Sequence, residues 1–203
     1  MRQTDEDIRK QIDKPLTWFV KYFPMRIKNV PQSGLTARQL VYAFKDGKAE
    51  EIAIVAKQTA AHIIEQFGDR CSKLVLSCIP ASSAEKNESR YKAFCAMVSR
   101  LCGCINGYEH VRVVGERLTI HENRRKETDM RRANIIEFDE EWFNGKDVLC
   151  FDDIITKGLS YAHYANQLES FGANVVGGMY VVLKPVIKAI FRGFGSSDHR
   201  RDR

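Results

Sequence analysis

Hydrophobic positions along the chain follow two spacings, one typical of helices and one typical of buried strands. Apolar residues at helical spacing mark four segments: Thr36–Phe44, Glu50–Phe67, Ser89–Leu101 and Leu159–Phe171. Continuous apolar runs, typical of strands covered on both faces, occur at Lys73–Pro80, Asp147–Phe151 and Asn174–Leu183. The order strand, helix, strand, helix, strand predicts an α/β fold, in which helices flank a parallel sheet of four or five strands.

The flanks of this core have weaker patterns. Val111–Val114 and Ile135–Phe138 are further strand candidates, and a basic segment separates them. The first 35 residues mix charged and aromatic positions and are interrupted by three prolines, which predicts a short irregular cap with room for one helix. We therefore expect an N-terminal cap or hood at residues 1–35, one α/β domain at 36–190, and a basic disordered tail at 191–203.

Composition narrows the class of protein. Of the 203 residues, 44% are hydrophobic and 29% charged, which is typical of a globular protein and excludes a disordered chain. No apolar run approaches the roughly 20 residues of a membrane helix, and the N-terminus lacks an apolar signal core, so we expect a soluble, cytoplasmic protein. The six cysteines form no C-x-x-C pair; we expect small buried side chains and no structural zinc.

The balance of charge indicates an anionic partner. The net charge is +6 and the isoelectric point is near 9.0, and both nucleic acid and phosphorylated small molecules fit such a protein. Part of the charge is concentrated in one cluster, formed by Arg124, Arg125, Lys126, Arg131 and Arg132. A solvated loop is the alternative interpretation of this cluster.

Two adjacent acids, Asp152 and Asp153, follow the strand predicted at Asp147–Phe151. Open α/β sheets bind ligands beyond the carboxyl ends of their strands. The next loop leads into a helix, and backbone N–H groups in such a loop favour phosphate. A sugar phosphate satisfies both features, because the carboxylates can accept hydrogen bonds from ribose hydroxyls, each worth about 1.5–3 kcal/mol. The predicted phosphate-binding residues are Ile155, Thr156, Lys157, Gly158, Leu159 and Ser160.

The segment VLCFDDIITKGLS resembles the ribose-phosphate signature of type I phosphoribosyltransferases, in which an apolar strand and two acids precede Thr-Thr-Gly-x-Thr. Lys157 stands at the second threonine and Ser160 at the last. The resemblance implies phosphoribosyl pyrophosphate as the substrate, with Mg²⁺ held by substrate oxygens and waters rather than by the protein. It also implies that Asp152 and Asp153 are the catalytic residues on the ribose side.

Other segments extend the resemblance over roughly residues 40–183. SCIPASS stands where the family has its pyrophosphate loop, which implies this role for Ala81, Ser82 and Ser83. The basic segment His121–Arg132 stands where the family has a flexible flap, which implies that Arg124, Arg125 and Lys126 meet the leaving group. LVYAFKDGKAEE and RRANIIEF are similar to the ComF-like branch of the family, although the four-cysteine zinc module typical of that branch is missing.

Three functions remain open at this point. The first is an active phosphoribosyltransferase. The second is a non-transferring, ComF-like protein that acts in DNA uptake or nucleic-acid handling, and the third is a hydrolase acting on a ribose phosphate. Nothing in the sequence marks the acceptor base, and a homodimer is a further open question.

The two acids are expected to behave differently. Because two like charges repel, we expect neither acid to be needed for folding. Asp153, which is nearer the loop, is expected to help cap the following helix, whereas Asp152 is expected to contact the ligand.

Overall fold

Five parallel strands form the centre of the protein in a computed structural model, which describes residues 4–21, 31–114 and 135–183. In chain order the described strands are β1 (Leu16–Lys21), β2 (Leu74–Cys78), β3 (Ile105–Asn106), β4 (Val111–Val114), β5 (Ile135–Phe138), β6 (Asp147–Ile155) and β7 (Asn174–Leu183). The main sheet has the order β1-β7-β6-β2-β3, and each neighbouring pair in it is parallel. The predicted α/β fold with a parallel sheet is confirmed.

Of the described α-helices, the first precedes β1 and the others lie between the strands in chain order. The described helices are α1 (Asp5–Ile12), α2 (Gln32–Lys45), α3 (Ala49–Phe67), α4 (Ala84–Asn87), α5 (Ala93–Cys102), α6 (Glu140–Phe143) and α7 (Leu159–Ser170). A π-helical turn, Glu88–Lys92, joins α4 to α5, so the helix predicted from Ser89 begins earlier and is locally widened. None of the described helices is long and apolar enough to span a membrane.

Helices cover the sheet on both faces, which explains the continuous apolar runs of its central strands. On one face, Leu149 and Phe151 of β6 pack in a core with Val55 of α3 and Phe94 of α5. On the other face, Val148 and Cys150 of β6 pack with residues of α7. Since alternate residues of one strand are buried on opposite faces, all four positions of Val148–Phe151 are apolar.

The N-terminal segment contributes an edge strand to the main sheet. β1 lies parallel to β7, with Leu16 opposite Gly178. The approach is close: a Cβ atom at Gly177 would lie 2.4 Å from the carbonyl oxygen of Pro15, so only glycine fits there. The expectation of an irregular cap is therefore wrong for residues 16–21. The strand is short, begins after a proline and keeps Trp18 41% exposed, so its sequence pattern is weak.

The two weaker strand candidates, β4 and β5, pair in antiparallel fashion and form a separate two-stranded sheet. Residues 115–134, which connect them, lie outside the described residues, as do residues 184–203. The predicted flap residues Arg124, Arg125 and Lys126 and the predicted tail are therefore not described.

Candidate ligand site at the carboxyl edge of the sheet

The two acids lie inside β6, at the point where this strand extends beyond its neighbour β2. Pairing between β2 and β6 ends at Cys78 and Phe151, whereas β6 remains paired with β7 as far as Ile155. The predicted strand end at Phe151 was thus four residues short, because Ile154 and Ile155 continue the ladder opposite Val182 and Leu183. Asp152 and Asp153 consequently line the edge of β6 that β2 leaves uncovered.

Asp153 is held in a buried ion pair. Its Oδ2 accepts a hydrogen bond of 3.0 Å from Nη1 of Arg90, and Nζ of Lys45 lies 3.5 Å away. Its side chain is only 6% exposed. Breaking such a pair leaves an uncompensated buried charge, which typically costs about 3–5 kcal/mol. The expectation that Asp153 is dispensable for folding therefore conflicts with this environment.

The helix after the acids does not use Asp153 as its cap. The N-cap of α7 is Gly158, which has no side chain to accept a hydrogen bond from the first turn. The predicted capping role of Asp153 is therefore wrong, because β6 continues to Ile155 and ends three residues before the helix begins.

Asp152 is half-buried and has different partners. Its Oδ1 accepts hydrogen bonds from the backbone N–H of Asp153, at 2.8 Å, and from the hydroxyl of Tyr91, at 3.3 Å. Burial and then the neighbouring charge of Asp153 raise the pKa of Asp152 well above its usual range, although Lys45 and Arg90 act in the opposite direction. The two acids therefore differ: Asp153 is paired with cations, whereas Asp152 is held by hydrogen-bond donors.

Arg90 and Tyr91 were missed by the sequence analysis, although each contacts one of the acids. Both belong to the π-helical turn Glu88–Lys92. Besides its bond to Asp153, Arg90 donates from Nε and Nη2 to the carbonyl oxygen of Lys45, at 3.3 and 3.1 Å, and so bonds the last residue of α2. Tyr91 lies at an apolar position of the helix predicted at Ser89–Leu101, and its hydroxyl group is the sequence feature that could have indicated a polar contact.

The residues predicted to bind phosphate lie at the end of β6, in the loop that follows it and at the start of α7. Thr156, Lys157 and Ser160 are exposed, and Leu159 is 44% exposed. The first N–H groups of an α-helix have no acceptor within the helix, and the helix dipole favours an anion there. Ile155 belongs to β6 instead, and its side chain lies in the core.

Gly158 has a structural role that its sequence context did not reveal. Its φ of +74° lies in the left-handed region, and a Cβ atom would lie 3.2 Å from Cγ1 of Ile12. The close approach that glycine allows here is thus to α1.

The predicted pyrophosphate loop leaves β2 beside β6. The N–H of Ile79 donates to the carbonyl oxygen of Phe151 at 2.8 Å, which keeps the segment after β2 next to β6. The N–H of Ala81 donates to Oδ1 of Asn87 at 3.0 Å, and Ser83 caps α4 by accepting from the N–H of Lys86 at 3.2 Å. Both predicted loops therefore leave neighbouring parallel strands at the same edge of the sheet, where the acids also lie.

The fold and the site define an α/β protein with a candidate ligand site at the carboxyl edge of a parallel sheet. In the three described ranges, no three His, Cys, Asp or Glu side chains come together as candidate metal ligands. No family model matches the sequence. A search of curated proteins finds no significant match.

A search of solved structures finds several chains that are similar to this one at low sequence identity. Adenine phosphoribosyltransferase from Saccharomyces cerevisiae, complexed with D-2,5-dideoxy-2,5-imino-altritol 1,6-bisphosphate and adenine, has a TM-score of 0.47 and 18% identity, over 71% of this chain and 76% of that one. Adenine phosphoribosyltransferase from Leishmania donovani has a TM-score of 0.43 and 13% identity, over 97% and 75%. A hypoxanthine-guanine phosphoribosyltransferase from Bacillus anthracis has a TM-score of 0.36 and 14% identity, over 73% and 69%.

Proposed function

We propose that this protein binds phosphoribosyl pyrophosphate, or a related ribose 5-phosphate, at the carboxyl edge of its sheet. We further propose that it transfers the phosphoribosyl group to a base and releases pyrophosphate. The observation that carries this proposal is the position of Asp152, on the uncovered edge of β6, between two loops that leave adjacent strands. A carboxylate there suits ribose hydroxyls, and a loop on either side suits the two phosphate ends of the same ligand.

Each group has a distinct role in this proposal. Backbone N–H groups at the start of α7, with the hydroxyls of Thr156 and Ser160, would bind the 5-phosphate, and Lys157 would add a positive charge. The loop Ala81–Ser83 would bind the pyrophosphate. Mg²⁺ would neutralise the departing pyrophosphate while held by substrate oxygens and waters.

The proposed transfer reaction develops positive charge on the sugar and negative charge on the departing pyrophosphate. The bond between C1 of the ribose and a pyrophosphate oxygen breaks, and its electron pair leaves with the pyrophosphate. A base nitrogen supplies the electron pair for the new bond to C1 and releases its proton. Positive charge that develops on the sugar between these events is stabilised by a nearby carboxylate, which is the role proposed for Asp152.

A calorimetric titration with phosphoribosyl pyrophosphate and Mg²⁺ tests the binding step. We expect saturable binding that is stronger than binding of ribose 5-phosphate or of pyrophosphate alone, because only the complete ligand occupies both loops. No binding of the complete ligand would refute the proposal. A screen of free bases with detection of released pyrophosphate then tests transfer.

A second candidate is a non-transferring, ComF-like protein that handles nucleic acid, and the net charge of +6 favours it. This function predicts ligand binding without pyrophosphate release for any base, together with salt-dependent binding of DNA. Release of pyrophosphate in the absence of a base would instead identify a hydrolase.

A further inference from the structure

Two consecutive residues of the π-helical turn contact the two consecutive acids of β6. Arg90 bonds Asp153 at 3.0 Å, and Tyr91 bonds Asp152 at 3.3 Å. Successive side chains of an α-helix diverge by about 100°, and those of a strand point to opposite faces. A regular helix beside a regular strand is therefore not expected to make two such adjacent contacts. The π-helical turn changes the angular spacing of the side chains locally. Such turns are often found at functional sites.

The guanidinium of Arg90 is fixed from three sides. Nε and Nη2 bond the carbonyl oxygen of Lys45, Nη1 bonds Asp153, and the group lies 5.5 Å from the ring centre of Tyr91. Its side chain is 13% exposed. Because the planar fork of donors has a fixed geometry, a bond to one acceptor orients the donor for the other. Arg90 thereby ties Asp153 to the end of α2.

The hydroxyl of Tyr91 is fixed by the packing of its ring. Tyr91 is fully buried, and its ring centre lies 6.2 Å from that of Phe44 and 6.4 Å from those of Phe94 and Phe151. Burial and then the charge of Asp152 raise the pKa of Tyr91 well above its usual range. The hydroxyl therefore keeps its proton at physiological pH and acts as a hydrogen-bond donor to Asp152.

From these contacts we propose that Arg90 and Tyr91 are positioning residues, and that they give the two acids different roles. Arg90 holds Asp153 as a buried anchor, and Tyr91 orients Asp152 as the carboxylate that meets the ligand. This inference rests on the proposed function, since it names which acid contacts the ribose. It adds a pair of residues from a distant helical turn that the signature around the acids does not contain.

The effect of Tyr91 on Asp152 has a direct readout in the free protein. In wild type and in Tyr91→Phe, the carboxyl carbon of Asp152 is followed by NMR as the pH is varied. The hydroxyl stabilises the charged carboxylate, so its removal should move the titration midpoint of Asp152 upward. The charged and titratable groups that face Asp152 are otherwise unchanged: Asp153, Lys45, Arg90, Cys78 and Tyr180.

Ligand binding provides the second readout. Tyr91→Phe should bind phosphoribosyl pyrophosphate roughly tenfold more weakly at neutral pH, and its binding should be lost at a higher pH than that of wild type as the solution is acidified. The matched control is Tyr164→Phe, which removes another buried tyrosine hydroxyl, bonded to Ser77 at 2.7 Å on the opposite face of the sheet. It should lower stability and leave binding unchanged.

Arg90 is tested by Arg90→Met and Arg90→Lys. Both variants should bind the ligand more weakly at temperatures where they are fully folded, because a lysine cannot bond Asp153 and the carbonyl of Lys45 in the same fork geometry. Arg70→Met is the control, since Arg70 also lies over a ring, that of Phe67, away from the acids. If Arg90→Met proves unfolded, the Tyr91→Phe measurements decide the inference.

Failure of the inference can be told apart from failure of the proposed function. If wild type does not bind phosphoribosyl pyrophosphate, the proposed function fails together with the assignment of Asp152 to the ribose. If wild type binds but Tyr91→Phe has wild-type affinity and an unchanged midpoint for Asp152, the inference is overturned and the proposed function stands. A raised midpoint with wild-type affinity would likewise refute Asp152 as the acid that meets the ligand.

Discussion

Ile12, the last residue of α1, packs directly on Gly158, the N-cap of α7: a Cβ atom at Gly158 would lie 3.2 Å from Cγ1 of Ile12. The N-terminal helix therefore supports the loop to which we assign the 5-phosphate. The contact also means that both the backbone conformation at Gly158, with φ of +74°, and the space around it require glycine.

Gly158→Ala should lower the free energy of unfolding by about 1–2 kcal/mol from its left-handed conformation alone, with a further loss from the contact with Ile12. Gly145→Ala is the matched control, because Gly145 has nearly the same φ, +72°, and nothing within 4 Å of its Cβ position. Urea denaturation of both variants separates the two effects. Equal losses in the two variants would show that Ile12 does not restrict Gly158.

The two acids should differ in their contribution to stability. Asp153→Asn leaves Arg90 without its buried carboxylate partner, so we expect a loss of about 3 kcal/mol in the free energy of unfolding. Asp152→Asn removes a half-buried group that repels Asp153, so stability at neutral pH should be unchanged or raised. Chemical denaturation measures both, and a greater loss in Asp152→Asn than in Asp153→Asn would contradict the assignment of Asp153 as the anchor.

The raised pKa of Asp152 has a defined effect on the pH dependence of stability. Because its pKa is higher in the folded than in the unfolded protein, the folded state binds the proton more tightly. The stabilising contribution is complete below the unfolded pKa, about 3.9, and is lost as the pH rises through the folded value. The difference in stability between wild type and Asp152→Asn should therefore move in favour of the variant as the pH rises from about 4. A difference independent of pH would refute the raised pKa.

Glu169 of α7 should hold the N-terminal helix in place. It accepts hydrogen bonds from Lys10 at 2.9 Å and from the buried Gln11 at 2.7 Å, and it forms a further ion pair with Lys14. Glu169→Gln should cost about 1–3 kcal/mol of stability, the usual range for lost bonds to a charged group. Glu88→Gln is the control, because Glu88 and its partner Lys92 are more than half exposed and should contribute little. Thermal denaturation distinguishes the two variants.

The basic segment can be tested without reference to its structure. If Arg124, Arg125 and Lys126 meet the pyrophosphate, replacing all three by methionine should weaken binding of phosphoribosyl pyrophosphate and leave binding of ribose 5-phosphate nearly unchanged. The control replaces Arg200, Arg201 and Arg203 of the C-terminal segment, which removes the same amount of charge. Equal effects of the two triple variants would indicate a general effect of net charge.

The sequence by itself determined the central strands and the main helices. The runs in β2 and β7 are largely apolar at successive positions because helices cover both faces of the sheet. The chemistry of the candidate loop, with two acids followed by threonine, glycine and serine, was likewise local and could be read directly from the chain.

Tertiary structure decided which partners the acids have. Arg90 and Lys45 are 63 and 108 positions from Asp153, and no local pattern joins residues so far apart. The end of β6 also depended on β7, because β6 extends to Ile155 through its hydrogen-bonded pairing with β7. The strand at Leu16–Lys21 depended on β7 as well, because β1 is a short edge strand whose pairing partner in the sheet is β7. Burial by these distant segments raises the pKa of Asp152, and Arg90 supplies the partner of the Asp153 ion pair. The difference between these two identical adjacent side chains therefore arises only in the folded protein.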